Sequence, residues 1–335
     1  MGLKITAYPA NSNTPVLHHS STPYITASGL CDNIGHKMTE NLNITGFILS
    51  PFLALLIGIF FLGLARKVIA RIQWRYGPPL IQPVIDIIRL FSQRSVSHGH
   101  LFNLGIVLSL AGSVAVILFL PFGRICPLSG SGGILVILYL MLLAPLGIAL
   151  SGGEAANPNT SIGISRKLIL ALGYEVPLLL IFLAVMNHYE TISLITIVER
   201  QQSAGWSLFS LSLLLSGIAY LLILPAILEL RPFEVIKAPQ EISSGPMVEY
   251  GGQFLALAMI QHALTIFIGI ALFVNLFLGG AGNPFIFFVK MLVVFLINLF
   301  INAVFPRMRI EQAVKYLWRW PTLLALTGLI VSMIT

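Results

Sequence analysis

The sequence predicts an all-α polytopic membrane protein: about eight transmembrane helices, an amphipathic helix on the cytoplasmic side and proline-broken central helices. Three observations carry this. Hydrophobic residues make up 57% of the 335 and charged residues only 9%, where a soluble domain carries about 25% charged residues. Eight apolar runs reach, or nearly reach, the length of about 20 residues that a helix needs to cross a bilayer. The basic residues between those runs alternate, abundant in one connection and scarce in the next.

The runs fall at roughly 45–65, 101–122, 133–151, 168–187, 207–228, 253–278, 285–305 and 317–335. The last is the weakest, because Pro321 interrupts its start. None alternates apolar and polar residues as a barrel strand would. Backbone groups in lipid must pair within the segment, so the runs are helices. Residues 1–43 differ from all of this. They are rich in Ser, Thr, Asn and Pro and contain no apolar run. This stretch is expected to be a disordered extension, or sequence upstream of the true start with Met38 as a natural opening, which leaves 44–335 as the transmembrane domain. His18 and His19 read as part of a solvated tail. Cys31 and Cys126 have no metal-ligand spacing.

The odd connections hold Arg66, Lys67, Arg71, Arg75, Arg89 and Arg94, then Arg166 and Lys167, then Arg231 and Lys237, then Arg307, Arg309, Lys315 and Arg319. The even connections hold only Arg124 and Arg200. The positive-inside rule then puts the odd connections in the cytoplasm and both termini outside. The net charge of +7 reflects this topology and does not point to a nucleic-acid partner. In the first connection Val84, Ile87, Ile88 and Phe91 share one helical face, with Asp86, Arg89 and Gln93 on the other. The segment is either an anchor on the membrane surface or a docking platform for a soluble partner.

The chain has only 12 acidic residues, and four of them lie in "ELRPFEVIKAPQEISSGPMVEY": Glu229, Glu234, Glu241 and Glu249. Pro232, Pro239 and Pro246 prevent one regular helix there. Glu175 sits near the middle of the fourth run, where an acid costs about 2.5–3.5 kcal/mol, so it is read as functional. Pro177 frees the Gly173 carbonyl one turn earlier, and Pro145 and Pro225 are expected to open their helices similarly. The fifth connection is expected to fold back between the helices and carry its carboxylates toward Glu175, a proton relay in outline. Lys290 either snorkels outward or holds a charge in the ion path. His262 reads as a packed residue, and Asn275, Asn298 and Asn302 as helix–helix contacts.

At these residues the chain resembles the membrane subunit of bacterial NADH:quinone oxidoreductase that corresponds to subunit 1 of mitochondrial complex I. It also resembles the matching subunit of membrane-bound [NiFe] hydrogenases and formate hydrogenlyase. The motifs that carry the resemblance are "RKVIARIQWRYGP", "LIQPVIDIIRLF", "SRKLILALGYEVP", "PFEVIKAPQEISSGPMVEY" and "FPRMRIEQAVKYLWRWP", which together cover roughly 45–335. The resemblance implies a non-catalytic subunit that joins a soluble redox arm to membrane ion pumps. Glu175, Glu229, Glu234, Glu241, Glu249 and Lys290 would belong to the ion pathway. Arg66, Arg75, Asp86, Arg89, Arg231, Arg307, Arg309 and Glu311 would belong to the arm and loop interface. No cofactor is expected in this chain. A nickel–iron centre and iron–sulfur clusters, or FMN and quinone, would sit in partner subunits. The expected partners are iron–sulfur and large hydrogenase-like subunits of the arm, antiporter-like membrane subunits and lipid, in the inner cytoplasmic membrane.

The chain departs from complex I members at several places. They carry acids at the positions of Ala65, Lys237 and Pro239, Glu at Gln261 and Arg at Asn302. The segment between Gly77 and Gln82, which lines quinone access in quinone-reducing members, is shorter here. "SIGISRKLILALGYE" is more similar to the hydrogenase branch. The resemblance therefore favours a membrane-bound hydrogenase or its sulfur-reducing relative. A quinone-binding complex I subunit and a stand-alone ion transporter are the alternatives.

Overall fold

The computed structural model describes residues 44–334 apart from 124, 126, 129–132, 155 and 156. The expected extension at 1–43, with His18, His19 and Cys31, lies outside the described residues, as do Arg124 and Cys126. The helices are α1 (Ile44–Ile72), α2 (Gln82–Phe91), α3 (His100–Phe119), α4 (Ile134–Gly153), α5 (Pro158–Tyr189), α6 (Leu194–Ala204), α7 (Leu211–Ile227), α8 (Pro239–Ile242), α9 (Gly252–Phe277), α10 (Pro284–Val304) and α11 (Ile310–Ile334). Among the described residues there is no β-strand, only two isolated bridges, Phe122 with Ile125 and Gly133 with Ser193.

Seven of these helices are long and apolar enough to cross a membrane. The eighth expected span, α7, has 17 residues and at 1.5 Å per residue covers about 26 Å. A 3₁₀ turn at Ser207–Phe209 precedes it. The chain is thus an all-α polytopic membrane protein, with helices in every run that the sequence marks.

Three boundaries differ most from expectation. α1 continues to Ile72, α5 begins at Pro158 rather than near 168, and α11 begins at Ile310 rather than near 317. Arg66, Lys67, Arg71, Arg166, Lys167, Lys315 and Arg319 are therefore borne on helices and not in connections. The α5 start has a local cause. The Asn157 side chain accepts from the Asn159 N–H, and Pro158 occupies the first helical position, where its missing donor costs nothing. The expectation of broken central helices is also corrected. α4, α5 and α7 run on through Pro145, Pro177 and Pro225, and α11 runs through Pro321. A membrane helix tolerates proline where neighbouring groups or water take up the freed carbonyl.

α9 is the central pillar, buried without a break from Ile266 to Phe277. α1 and α3 pack against it, and the Tyr220 hydroxyl of α7 donates to the Gly269 carbonyl at 2.9 Å. α3 and α4 form the tightest pair. Their sequences share a small-xxx-small pattern, Gly105 with Ser109 and Gly147 with Ser151, which lets backbones approach closely in lipid. A Cβ at Gly147 would overlap the Ser109 backbone nitrogen, and the Ser109 hydroxyl donates across the interface to the Ala144 carbonyl at 2.8 Å. α5, α7 and α11 pack mutually, and Asn187 of α5 donates to the Ser332 carbonyl of α11 at 2.7 Å.

The connections gather at two ends. The first, third, fifth and seventh meet through His98 with Glu249, Arg166 with Glu241, and the Met308 N–H with the Pro232 carbonyl. At the opposite end Gln201 donates to the Asn275 and Leu276 carbonyls, and the Ile134 N–H to the Ile192 carbonyl. The odd-connection end carries the basic residues named for it and the four acids of the fifth connection.

Replacing Gly147 with Leu is expected to lower the thermal stability of the purified assembly by about 1–3 kcal/mol through overpacking. Leu326→Val, on an exposed face, is expected to stay within about 0.5 kcal/mol. Thermal melting of both variants in the same detergent checks the pair.

Candidate functional site

The fifth connection leaves α7 at Leu228 and turns immediately. Glu229 takes a left-handed backbone conformation, φ 53°, and its side chain points inward. One carboxylate oxygen lies 2.6 Å from Lys167 Nζ of α5. The other faces Lys237 Nζ and His262 Nδ1, each at 3.7 Å. Lys167 and Glu229 are 8% and 12% exposed, so this is a buried ion pair in an apolar bundle. It borders a cavity of about 40 Å³ lined by Ser113, Tyr174, Gln261 and Thr265 on its polar side. A water molecule needs about 10–15 Å³, so the cavity can hold a few. Pro145 and Met141 line the same space. The carbonyl that Pro145 releases is that of Met141, one turn earlier.

Burial pushes the Glu229 carboxyl up, but Lys167, Lys237 and His262 pull harder and hold it well below the usual carboxylate range. A depressed value in the folded protein means that the pair stabilises the fold fully above the ordinary carboxylate range and loses that effect only as pH falls through the depressed value. The pair therefore persists throughout the neutral range.

The other acids of the connection each meet a basic side chain. Glu234 meets Arg307 at 3.0 Å and Arg231 at 3.2 Å. Glu241 meets Arg166 at 2.7 Å, and Glu249 meets His98 at 3.2 Å. Asn302, expected as a helix contact, accepts from the Arg231 N–H. Nearby, Asp86 of α2 bonds Arg66 at 2.9 Å and Gln82 at 2.8 Å. Burial pushes its carboxyl up, and these two bonds outweigh it and hold the group below its ordinary value. Arg75, Arg89, Arg309 and Glu311 form no ion pair among the described residues; Arg309 donates its N–H to Gln312. No group of three or more His, Cys, Asp or Glu side chains among the described residues could hold a metal.

Two expected pathway members stand elsewhere. Lys290 lies at the opposite end, donating to the Leu278 and Gly280 carbonyls at 2.7 and 2.6 Å, with its ammonium 5.1 Å from the Trp206 ring centre. It caps the end of α9 and does not join the carboxylates. Glu175 is half-buried and makes no hydrogen bond or ion pair among the described residues. The cavity is lined by Lys167, Leu170 and Tyr174 of α5, spaced i, i+3 and i+7 on one face. Glu175 is one residue further, about 100° around the helix, on the side of the exposed Leu172, Val176 and Leu179. The fifth connection does fold inward, but it brings Glu229 to Lys167 and not to Glu175. The sequence signal for this is the heptad-like spacing from Lys167 to Tyr174, hidden because hydropathy assigns Lys167 to a connection.

Comparison with known proteins fits this arrangement. The family model for NADH dehydrogenase matches residues 44–333. The chain belongs to the NADH dehydrogenase family. It is 27% identical over 290 residues to a NADH-quinone oxidoreductase subunit of Dehalococcoides mccartyi strain CBDB1, covering 82% of this chain and 81% of that one. It is 32% identical over 225 residues to hydrogenase-4 component C of Escherichia coli K12, covering 65% of this chain and 70% of that one. Among solved structures it resembles a chain of an archaeal respiratory membrane complex, the membrane-bound sulfane sulfur reductase. The TM-score is 0.83 and the identity 38%, over 86% of this chain and 98% of that one. The chain is thus a membrane subunit of a complex-I-like respiratory assembly.

Removing the carboxylate strands the ammonium groups that face it. Glu229→Gln alone is expected to cost about 3–5 kcal/mol, Lys167→Met less because Lys237 stays 3.7 Å from the carboxylate, and the double variant to recover part of the Glu229→Gln loss. Thermal melting of the three assemblies, compared with wild type at neutral pH, reads this directly.

Proposed function

We propose that this chain couples electron transfer in a soluble redox arm to ion movement through neighbouring membrane subunits. The single observation that carries this is the water-sized cavity at Lys167 and Glu229, set beneath a connection whose every acid meets a basic side chain from another part of the chain. Movement imposed on the odd-connection end would shift those contacts and so the charges around the cavity. The odd connections face the cytoplasm in this reading, as the positive-inside rule directs. The fully exposed stretch at Arg71–Gly77, with Trp74 96% and Tyr76 86% exposed, is where an iron–sulfur subunit and a hydrogenase-like large subunit would dock. Antiporter-like subunits would cover the apolar faces left exposed on the spans. Glu175 stands beside one such face, where it would carry the charge change outward to them. Catalysis and its cofactors would reside in the arm.

The electron acceptor in this reading is not a quinone. The resemblance places quinone access beside the segment between Gly77 and Gln82. Here that joint is filled: Ile87 of α2 packs with Ile59, Ala256 and Ala263. A Cβ at Gly58 would overlap the Ala263 carbonyl, and one at Gly63 the Leu80 carbonyl. These close approaches of backbone to backbone narrow the joint between α1, α2 and α9. This supports the hydrogenase or sulfur-reducing branch over a quinone-reducing one, and the relatives include both kinds of name.

The test is the number of ions moved per electron in sealed vesicles that hold the whole assembly. Glu241→Gln and Glu175→Gln are both expected to lower that ratio by about five-fold or more, the usual span of coupling effects. Wild-type ratios in both would remove the coupling role.

A further inference from the structure

Of the two lysines at Glu229, one is fixed and one is carried by a connection. Lys167 belongs to a transmembrane helix, is 8% exposed and sits at 2.6 Å. Lys237 belongs to the fifth connection, is 26% exposed and sits at 3.7 Å. That separation is beyond a direct hydrogen bond and within reach of a bridging water. Its chain neighbours Ile236 and Ala238 are 3% and 0% exposed, so Lys237 moves with a packed segment and not alone. The same segment is tied to three other elements. Arg307 after α10 holds Glu234, Arg166 of α5 holds Glu241, and His98 before α3 holds Glu249. Glu241 is 51% exposed and open to a partner. Ser243 and Ser244 both have left-handed backbones, φ 49° and 75°, conformations that persist only where the surroundings impose them.

The charge count completes the case. Two ammonium groups, those of Lys167 and Lys237, and the His262 imidazole face one carboxylate in a buried space. Removing Lys237 would leave the Lys167–Glu229 pair balanced. With Lys237 present the site carries a surplus positive charge whose strength depends on where the connection lies, because charge interactions weaken with distance and strengthen away from water.

We propose that Lys237 is the positioning residue of the coupling device: a cation borne by the fifth connection that reports the position of that connection to Glu229. The proposal rests on the coupling role above and goes beyond it by naming the moving charge as a lysine and not a carboxylate. The test uses the whole assembly in sealed vesicles, reading ions moved per electron. Lys237→Gln and Lys237→Cys are expected to lower the ratio about five-fold or more, while Lys237→Arg keeps it within about two-fold. Treating the assembled Lys237→Cys variant with 2-aminoethyl methanethiosulfonate, which restores an ammonium group, is expected to recover the ratio. The uncharged methyl reagent is expected not to, and wild type treated in parallel accounts for other cysteines. A wild-type ratio in Lys237→Gln, or equal recovery with the methyl reagent, overturns the proposal. Should the variants fail to assemble, the native lysine is read instead by acetylation and mass spectrometry. Its labelling rate is expected to differ about three-fold or more between resting and turning-over enzyme, and an unchanged rate overturns the proposal. Wild-type vesicles that move no ions would sink the coupling role itself, a separate outcome.

Discussion

A lysine and a glutamate share a buried site inside a bundle made almost wholly of apolar helices, and neither is tolerable there without the other. Each ion loses several kcal/mol of hydration in such a place. The contact at 2.6 Å between Lys167 and Glu229 offsets that loss only while both helices hold their places. The pair therefore fixes where the end of α7 stands against α5. It also decides the course of the fifth connection, which must turn at Glu229 to deliver the carboxylate. Once turned, the connection lies under the ends of α3, α5 and α10, where His98, Arg166 and Arg307 take its remaining acids.

This explains why a connection rich in carboxylates behaves differently from a loose acidic loop. Exposed ion pairs contribute little each. Four acids met by basic side chains of α5 and of the segments before α3 and after α10 instead act as struts between those elements. A force applied at the exposed rim, at Glu241, has a mechanical route to the dry centre through Ile236 and Ala238.

Much of the fold is legible in the sequence, and the reasons are specific. Runs of about twenty apolar residues have one solution in lipid, so every span can be read, and the amphipathic face of 82–91 emerges as α2. Helix ends are less legible. Arg166 and Lys167 look like a basic connection when read by hydropathy, yet Asn157 and Pro158 start the helix earlier. That shift hides the partner of Glu229. His262 looks like a packed residue, and only the meeting of α9 with the fifth connection places it 3.7 Å from Glu229. Lys290 has two readings in the sequence, and helix capping at the opposite end is neither of them. Glu175 is legible as an unusual charge but not in its direction, which depends on one helical step of rotation.

The relatives span quinone-linked and hydrogen- or sulfur-linked names. The most direct measurement is the geometry of the cluster in cryo-electron density of the intact assembly, in reduced and oxidised states. The account expects the Lys167–Glu229 contact to stay closed while the Lys237–Glu229 separation changes by about an ångström or more, a scale of shift that packed interfaces amplify. An unchanged fifth connection in both states, with Lys237 held at one distance, would contradict it.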